Sequence, residues 1–240
     1  MLKIYFYECR RLLFNKFFAG LAFTLLFYGW QVLNRVTVLG VSHTAPFSAW
    51  SFGDYLCRLL PFLWSGTLLF LTFFTAPAAR RAAVLTRAAA MSPRRYGAVR
   101  CAAALSGTCL LTVLVFSEAA VFYGVYFHWH SWGELFLPAM AAAVPPLLFS
   151  LGSGWLLGQR HHVLLLIWMA VPLLLLVLPL PDAFGMWNGS FFRQYPLACG
   201  TLDPAFSVPA AVGTVQAAFA AAGIAALFLR ISRSDSCCRK

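Results

Sequence analysis

Long apolar stretches, separated by shorter polar connections, dominate the pattern of hydrophobic and polar positions along this chain. A helix needs roughly 20 apolar residues to cross a bilayer core about 30 Å thick. The stretches that approach or exceed this length run over residues 17–33, 59–79, 101–127, 135–157, 163–180 and 208–229. The pattern therefore predicts an all-α integral membrane fold with six transmembrane helices.

The composition excludes an ordinary soluble globular protein. Of the 240 residues, 61% are hydrophobic and only 10% are charged, which is too little charge to cover a soluble surface. The longest connections hold about 20 to 30 residues, and segments of that size cannot build a hydrophobic core of their own. We therefore expect a single transmembrane domain over residues 1–240.

The basic residues are sorted between the connections. Of the 18 Lys and Arg residues, 15 lie before the first stretch, in alternate connections or after the last stretch. Such basic segments face the cytoplasm, so this distribution predicts a multi-pass protein of the cell membrane with both termini inside. The basic residues form no recognisable nucleic-acid module, so we expect anionic membrane lipids, and not nucleic acid, as partners of this charge.

Four segments lie outside the apolar stretches and have distinct compositions. They are an interfacial segment at 1–16, a coupling segment at 80–100, an outer segment at 181–207 and a cytoplasmic tail at 230–240. The first segment mixes aromatic with basic residues, which predicts a helix in the cytoplasmic headgroup layer. A helical extension of the first span is the alternative.

The coupling segment holds an Ala-rich stretch, then Ser92-Pro93, then further arginines. Proline disfavours helix at the preceding residue and suits the first turn of a new helix, so we predict a short helix over 82–91 and a new helix from Pro93. A short helix held between two membrane helices would transmit force to or from a soluble partner. The alternative is a basic loop that only holds the chain at the membrane.

The outer segment is rich in aromatic residues and turn formers but too short to cross the bilayer and return. We expect it to cap the bundle as a re-entrant pair of short helices, broken at Asn188-Gly189 and at Pro196. A simple belt of aromatic residues at the outer membrane interface is the alternative. Its main aromatic residues include Trp187, Phe191 and Tyr195.

Ionisable side chains are costly inside a membrane, and Glu118 is the one acidic residue within a predicted span. Pairing with Arg35 or Arg58 would give it a structural role, whereas contact with a cargo or a gate would give it a functional one. We take Glu118, Trp64 and Tyr123 as candidates for a cargo path or gate.

No pattern typical of a metal or catalytic site is present. The seven cysteines lack the paired Cys-x-x-Cys spacing of zinc sites, although Cys57 and Cys199, both predicted outside, could form a disulfide. The small residues Gly152-Ser153-Gly154 have no histidine predicted beside them. We therefore interpret them as a close helix-packing contact and not as a protease site.

The layout resembles the membrane subunit of ABC transporters of the type-2 permease (exporter) family over the whole chain. The matching features are the interfacial segment, the outer segment with Tyr195-Pro196, the basic tail, and residues 86–95, TRAAAMSPRR. This last sequence is similar to the family's coupling helix and its Pro-containing re-entry. The Glu and Gly that family members typically carry in this segment are absent between Arg80 and Met91.

The resemblance implies a permease subunit that pairs with a second permease subunit, the same or homologous, and binds an ABC ATPase subunit beneath the membrane. ATP and magnesium are expected on that partner, because this chain carries no G-x-x-x-x-G-K-[ST] phosphate loop. The chain itself is expected to be no enzyme and to hold no cofactor. The residues assigned to ATPase coupling are Arg81, Thr86, Arg87 and Met91.

The expected function is export of an amphipathic, peptide or lipid-like cargo. Two other functions stay open on the residues alone. One is a non-transporting polytopic scaffold or sensor, which would need only interaction surfaces. The other is a membrane-embedded enzyme, which would need convergent catalytic groups.

Overall fold

The computed structural model of the protein describes residues 2–76 and 93–233, and its regular secondary structure within these ranges is helical. Short 3-10 turns lie at Thr37–Leu39, Trp132–Leu135 and Asp182–Phe184. The helices in chain order are α1 (Leu2–Leu13), α2 (Lys16–Arg35), α3 (Ala49–Thr75), α4 (Pro93–Phe127), α5 (Phe136–Arg160), α6 (His162–Val177), α7 (Gly185–Asn188), α8 (Ser190–Cys199) and α9 (Ala210–Arg233).

Five helices in the described ranges are long and apolar enough to cross a membrane. They are α2 with the turn that follows it, α3, α4, α5 with the turn that precedes it, and α9. Helix α6 is also apolar, but its 16 residues rise only about 24 Å, which is less than a bilayer core of about 30 Å. The helical class is thus confirmed, and the five candidate spans support a multi-pass membrane protein, whereas the sixth span stays a prediction.

Helix α3 is the centre of the bundle. It packs against α2, α4, α5, α6 and α8, and most of its residues are buried, whereas few residues of α9 are. A helix that is hydrophobic on all sides is favoured at such a position, because every face meets a neighbouring helix. The outer helices α2 and α9 leave most of their apolar surface exposed, as lipid-facing helices do.

The start of α3 corrects the sequence prediction. We expected the second span to begin at residue 59, but the helix begins at Ala49, where the Ser48 side chain caps it by accepting a hydrogen bond from the Ser51 N–H. Asp54 and Arg58, which we assigned to the outer connection, therefore lie inside the helix. The prediction that Glu118 is the one acidic residue within a span is wrong for the same reason.

Helix α1 is separate from the first span. Asn15 has extended backbone angles and its side chain accepts a hydrogen bond from the Phe17 N–H, so it ends one helix and caps the next. The alternative of a continuous helical extension is therefore wrong. The position of α1 in a headgroup layer stays a prediction.

Two glycines bring α5 and α9 into backbone contact. A Cβ added at Gly152 would overlap the backbone carbonyl of Gly223, and a Cβ at Gly223 would lie 2.5 Å from the Leu148 carbonyl oxygen. Small residues allow such close approach between membrane helices, where dispersion contacts drive association. The packing interpretation of the Gly152-Ser153-Gly154 sequence is thus confirmed at Gly152.

Candidate functional site

The residues assigned to ATPase coupling, Arg81, Thr86, Arg87 and Met91, lie outside the described residues, as does the predicted helix over 82–91. The structure does describe both flanks of this segment. Helix α3 ends at Thr75, and α4 runs from Pro93.

A buried polar cluster joins these two flanks to α1, and we call it the Glu8 cluster: Glu8, Phe74, Tyr96 and Arg100. Glu8 of α1 is only 2% exposed, and its Oε1 accepts a hydrogen bond of 2.8 Å from the Tyr96 hydroxyl of α4. Arg100 donates to the same hydroxyl at 2.9 Å, and its Nε lies 3.7 Å from the Glu8 carboxylate. The Arg100 guanidinium also lies over the rings of Tyr96 and Phe74.

The Glu8 cluster brings together three chain segments that our sequence reasoning treated separately. Phe74 is in the last turn of α3, and Tyr96 is in the first turns of α4. The Tyr96 hydroxyl donates to the carboxylate and accepts from the guanidinium, and both are charge-assisted hydrogen bonds, which are stronger than neutral ones. A single acidic residue among the basic residues of the first segment was the signal that could have singled out Glu8.

Glu118 occupies a junction of three helices. The Tyr55 hydroxyl of α3 donates to Glu118 Oε2 at 3.1 Å, and the carboxylate lies against Gly29 of α2, where a Cβ would overlap it. The alternative of pairing with Arg35 or Arg58 is not observed: no ion pair among the described residues involves Glu118, and Arg58 pairs with Asp54.

Of the other two candidates for a cargo path or gate, Tyr123 lies near Tyr55, the residue that donates to Glu118, whereas Trp64 lies elsewhere in the bundle. Tyr123 is fully buried and packs against the rings of Phe127 and Trp129 near the end of α4. Trp64 is also fully buried, but it lies nine residues, about 13 Å, beyond Tyr55 along α3. Its ring neighbours lie on α5, α6 and α7 and are Phe149, Trp168 and Trp187.

The outer segment packs on the first half of α3, as expected for a cap. Trp187 and Phe191 are buried, and Trp50 of α3 stacks against Tyr195 with ring centroids 5.5 Å apart. These aromatic residues contact protein, so an aromatic belt alone does not describe them. The re-entry of the segment into the membrane stays a prediction.

The breaks within the outer segment match the prediction at one place and not at the other. Gly189 has a positive φ of 78° and separates α7 from α8, a conformation that glycine adopts without strain. Pro196, predicted as a second break, lies inside α8. It is the seventh residue of that helix, and its ring does not end it.

A buried carboxylate on α3 holds the outer segment. Asp54 is 2% exposed and accepts from Arg58 Nε at 2.7 Å, while Arg193 Nε of α8 lies 3.5 Å from its other oxygen. Arg193 also donates to the Asn188 carbonyl at 2.8 Å, and its own carbonyl accepts from the Ser42 hydroxyl. The spacing of Asp54 and Arg58, four residues apart, was a signal for a helical ion pair.

The cysteines are free in the described ranges. Cys57 is buried and its thiol donates to the Met186 carbonyl at 2.9 Å, whereas Cys199 is exposed. The suggested disulfide between them is therefore absent. Within the described ranges, no three His, Cys, Asp or Glu side chains come together in a group that could hold a metal ion.

Comparison with known proteins adds no identification to this geometry. No family model matches the chain, and the searches of curated proteins and of solved structures found no match. The fold and the contacts described above are therefore the basis of the functional assignment.

Proposed function

We propose that this chain is the transmembrane permease subunit of an ABC exporter and moves an amphipathic, peptide or lipid-like cargo with ATP hydrolysed by a separate subunit. In this proposal α6 is the sixth span, and both termini lie on the cytoplasmic side of the cell membrane. A second permease subunit completes the path. The proposal rests on layout and on the contacts around residues 77–92.

The Glu8 cluster is the observation that carries the proposal. It links α1, the end of α3 and the start of α4 on both sides of residues 77–92. A force applied to that segment by a soluble partner would therefore act on three helices together. The buried charge pair makes the link stiff, since separating its members would leave an unpaired charge in an apolar environment.

The central position of α3 provides the next step of the mechanism. It packs on α2, α4, α5, α6 and α8, so a tilt of α3 would move the interfaces of most of the bundle. At its other end α3 carries the outer segment through Asp54 and Trp50. Closure of the ATPases on the cytoplasmic side would thus be transmitted along α3 to the outer cap.

The test is purification of the tagged chain from its native membranes, followed by identification of the co-purified proteins. We expect an ATPase that carries a G-x-x-x-x-G-K-[ST] sequence and hydrolyses ATP with magnesium. Replacing Arg87 and Met91 with Asp should lower the amount of bound ATPase by about tenfold or more, because like charges and lost apolar contact oppose docking. The matched control is Arg35→Asp, on the opposite side of the membrane.

A co-purified ATPase that stays bound at the wild-type level in the Arg87→Asp, Met91→Asp protein would contradict the assigned coupling residues. A chain that purifies without any ATPase would support the scaffold or sensor function instead. Loss of the ATPase in the Arg35→Asp control as well would show that charge reversal acts through folding.

A further inference from the structure

Glu118 lies on a surface that combines a carboxylate with aromatic rings. Phe122 and Tyr126 follow it at intervals of four residues on α4, so the three side chains share one face of the helix. Trp30 of α2 packs edge-on against Phe122, with ring centroids 5.7 Å apart, and lies 6.2 Å from Tyr126. We call Glu118, Trp30 and Tyr126 the Glu118 surface.

The Glu118 surface is accessible from outside the bundle. Trp30 is 40% exposed and Tyr126 is 54% exposed, and the Glu118 side chain is only partly buried. The helices that carry these residues, α2 and α4, are two of the candidate membrane spans. Glu118 lies nine residues, about 13 Å, before the end of α4, so the surface lies nearer one end of this candidate span.

Glu118 has no cationic partner in the described part of the chain. Its carboxylate accepts from the Tyr55 hydroxyl and lies beside the backbone of Trp30, but no arginine or lysine within the described ranges reaches it. An ionisable side chain at such a place is costly and is normally paired or functional. The pairing that would have made it structural is absent, because Arg58 pairs with Asp54 instead.

The chemistry of the surface selects one class of ligand. A carboxylate attracts a positive headgroup, and the faces of tryptophan and tyrosine rings attract the same cation through their quadrupoles. Lipid-facing apolar helices on either side would take an alkyl tail. We propose that the Glu118 surface binds the ammonium headgroup of a cationic amphiphile. A cationic amphiphile is then the class of cargo that the chain moves, and this assignment of the cargo rests on the proposed function.

The closing experiment measures binding of radiolabelled dodecyltrimethylammonium to the full-length chain in lipid nanodiscs, with empty nanodiscs subtracted. We expect saturable binding that unlabelled ligand displaces and that dodecyl sulfate and dodecyl maltoside displace poorly. Glu118→Gln should weaken binding about tenfold or more, and Trp30→Leu should weaken it about threefold to fivefold. Tyr55→Phe, which keeps the charge, should change it by less than about threefold.

The matched control is Glu134→Gln, which removes an exposed carboxylate from the turn before α5 by the same chemical change. It should bind the amphiphile as the wild-type protein does. Thermal unfolding of each variant shows whether lost binding reflects lost folding. Equal binding by wild-type and Glu118→Gln proteins, no saturable binding, or equal displacement by the three detergents would each overturn the proposal.

Nanodiscs of phosphatidylcholine and of phosphatidylglycerol distinguish the two sources of an ammonium headgroup. If bulk choline lipid occupies the surface, the difference between wild-type and Glu118→Gln proteins should shrink in phosphatidylcholine. If the surface takes a separate cargo, the difference should be the same in both lipids. No ATPase is present in this assay, so its failure leaves the permease assignment untouched, and loss of ATPase co-purification leaves the binding result untouched.

Discussion

Neutralising Asp54 should release the outer segment from α3. The carboxylate is almost completely buried between two arginines, whose side chains are 31% and 43% exposed. Removing one member of a fully buried pair costs about 3 to 5 kcal/mol, and an exposed pair contributes less than about 1 kcal/mol. Because the arginines are partly solvated and asparagine keeps one acceptor, we expect Asp54→Asn to cost about 2 kcal/mol.

Hydrogen exchange of the α8 amides in lipid nanodiscs measures this loss locally. About 2 kcal/mol corresponds to about thirtyfold faster exchange when opening is in rapid equilibrium. Arg193→Gln should have a similar effect, since Arg193 joins α8 to α3, whereas Arg58→Gln should have a smaller one, since its pair lies within α3. The double variant Asp54→Asn, Arg193→Gln should cost less than the sum of the single changes.

Glu134→Gln is again the control for loss of one carboxylate, and it should leave α8 exchange unchanged. Unchanged exchange of α8 in Asp54→Asn would refute the reasoning. So would an equal acceleration in every helix, because that result would indicate loss of global stability and not release of the cap.

Two further predictions concern the helix contacts. Glu8→Gln should speed hydrogen exchange of the α1 amides by about tenfold, because Arg100 loses its charged partner. The control Lys3→Gln, on the exposed face of α1, should leave this exchange unchanged. Equal exchange rates in the two variants would contradict the role of the Glu8 cluster. Gly152→Ala should lower the stability of the protein by about 1 to 3 kcal/mol, because the added methyl group would overlap the α9 backbone. Thermal unfolding measures this loss. The control Gly20→Ala adds a methyl group in open space and should leave the stability unchanged.

The sequence predicted the helices well where hydropathy alone sets them. Four of the five candidate spans begin within six residues of the start of the corresponding predicted stretch. The reason is that a long run of apolar residues in lipid satisfies its backbone hydrogen bonds as a helix. The prediction failed at α3, where Asp54 and Arg58 were interpreted as a polar connection. Asp54 pairs with Arg58 and also with Arg193, which lies far away along the chain.

The apolar, membrane-like character and the helical class were thus determined by the sequence itself, since each follows from composition and local pattern. The tertiary structure decided which charges are paired, that Glu118 has no cationic partner among the described residues, and that Glu8 joins the two flanks of residues 77–92. Hydropathy depends on one residue at a time. Pairing depends on the distance between residues that only the packed bundle brings together.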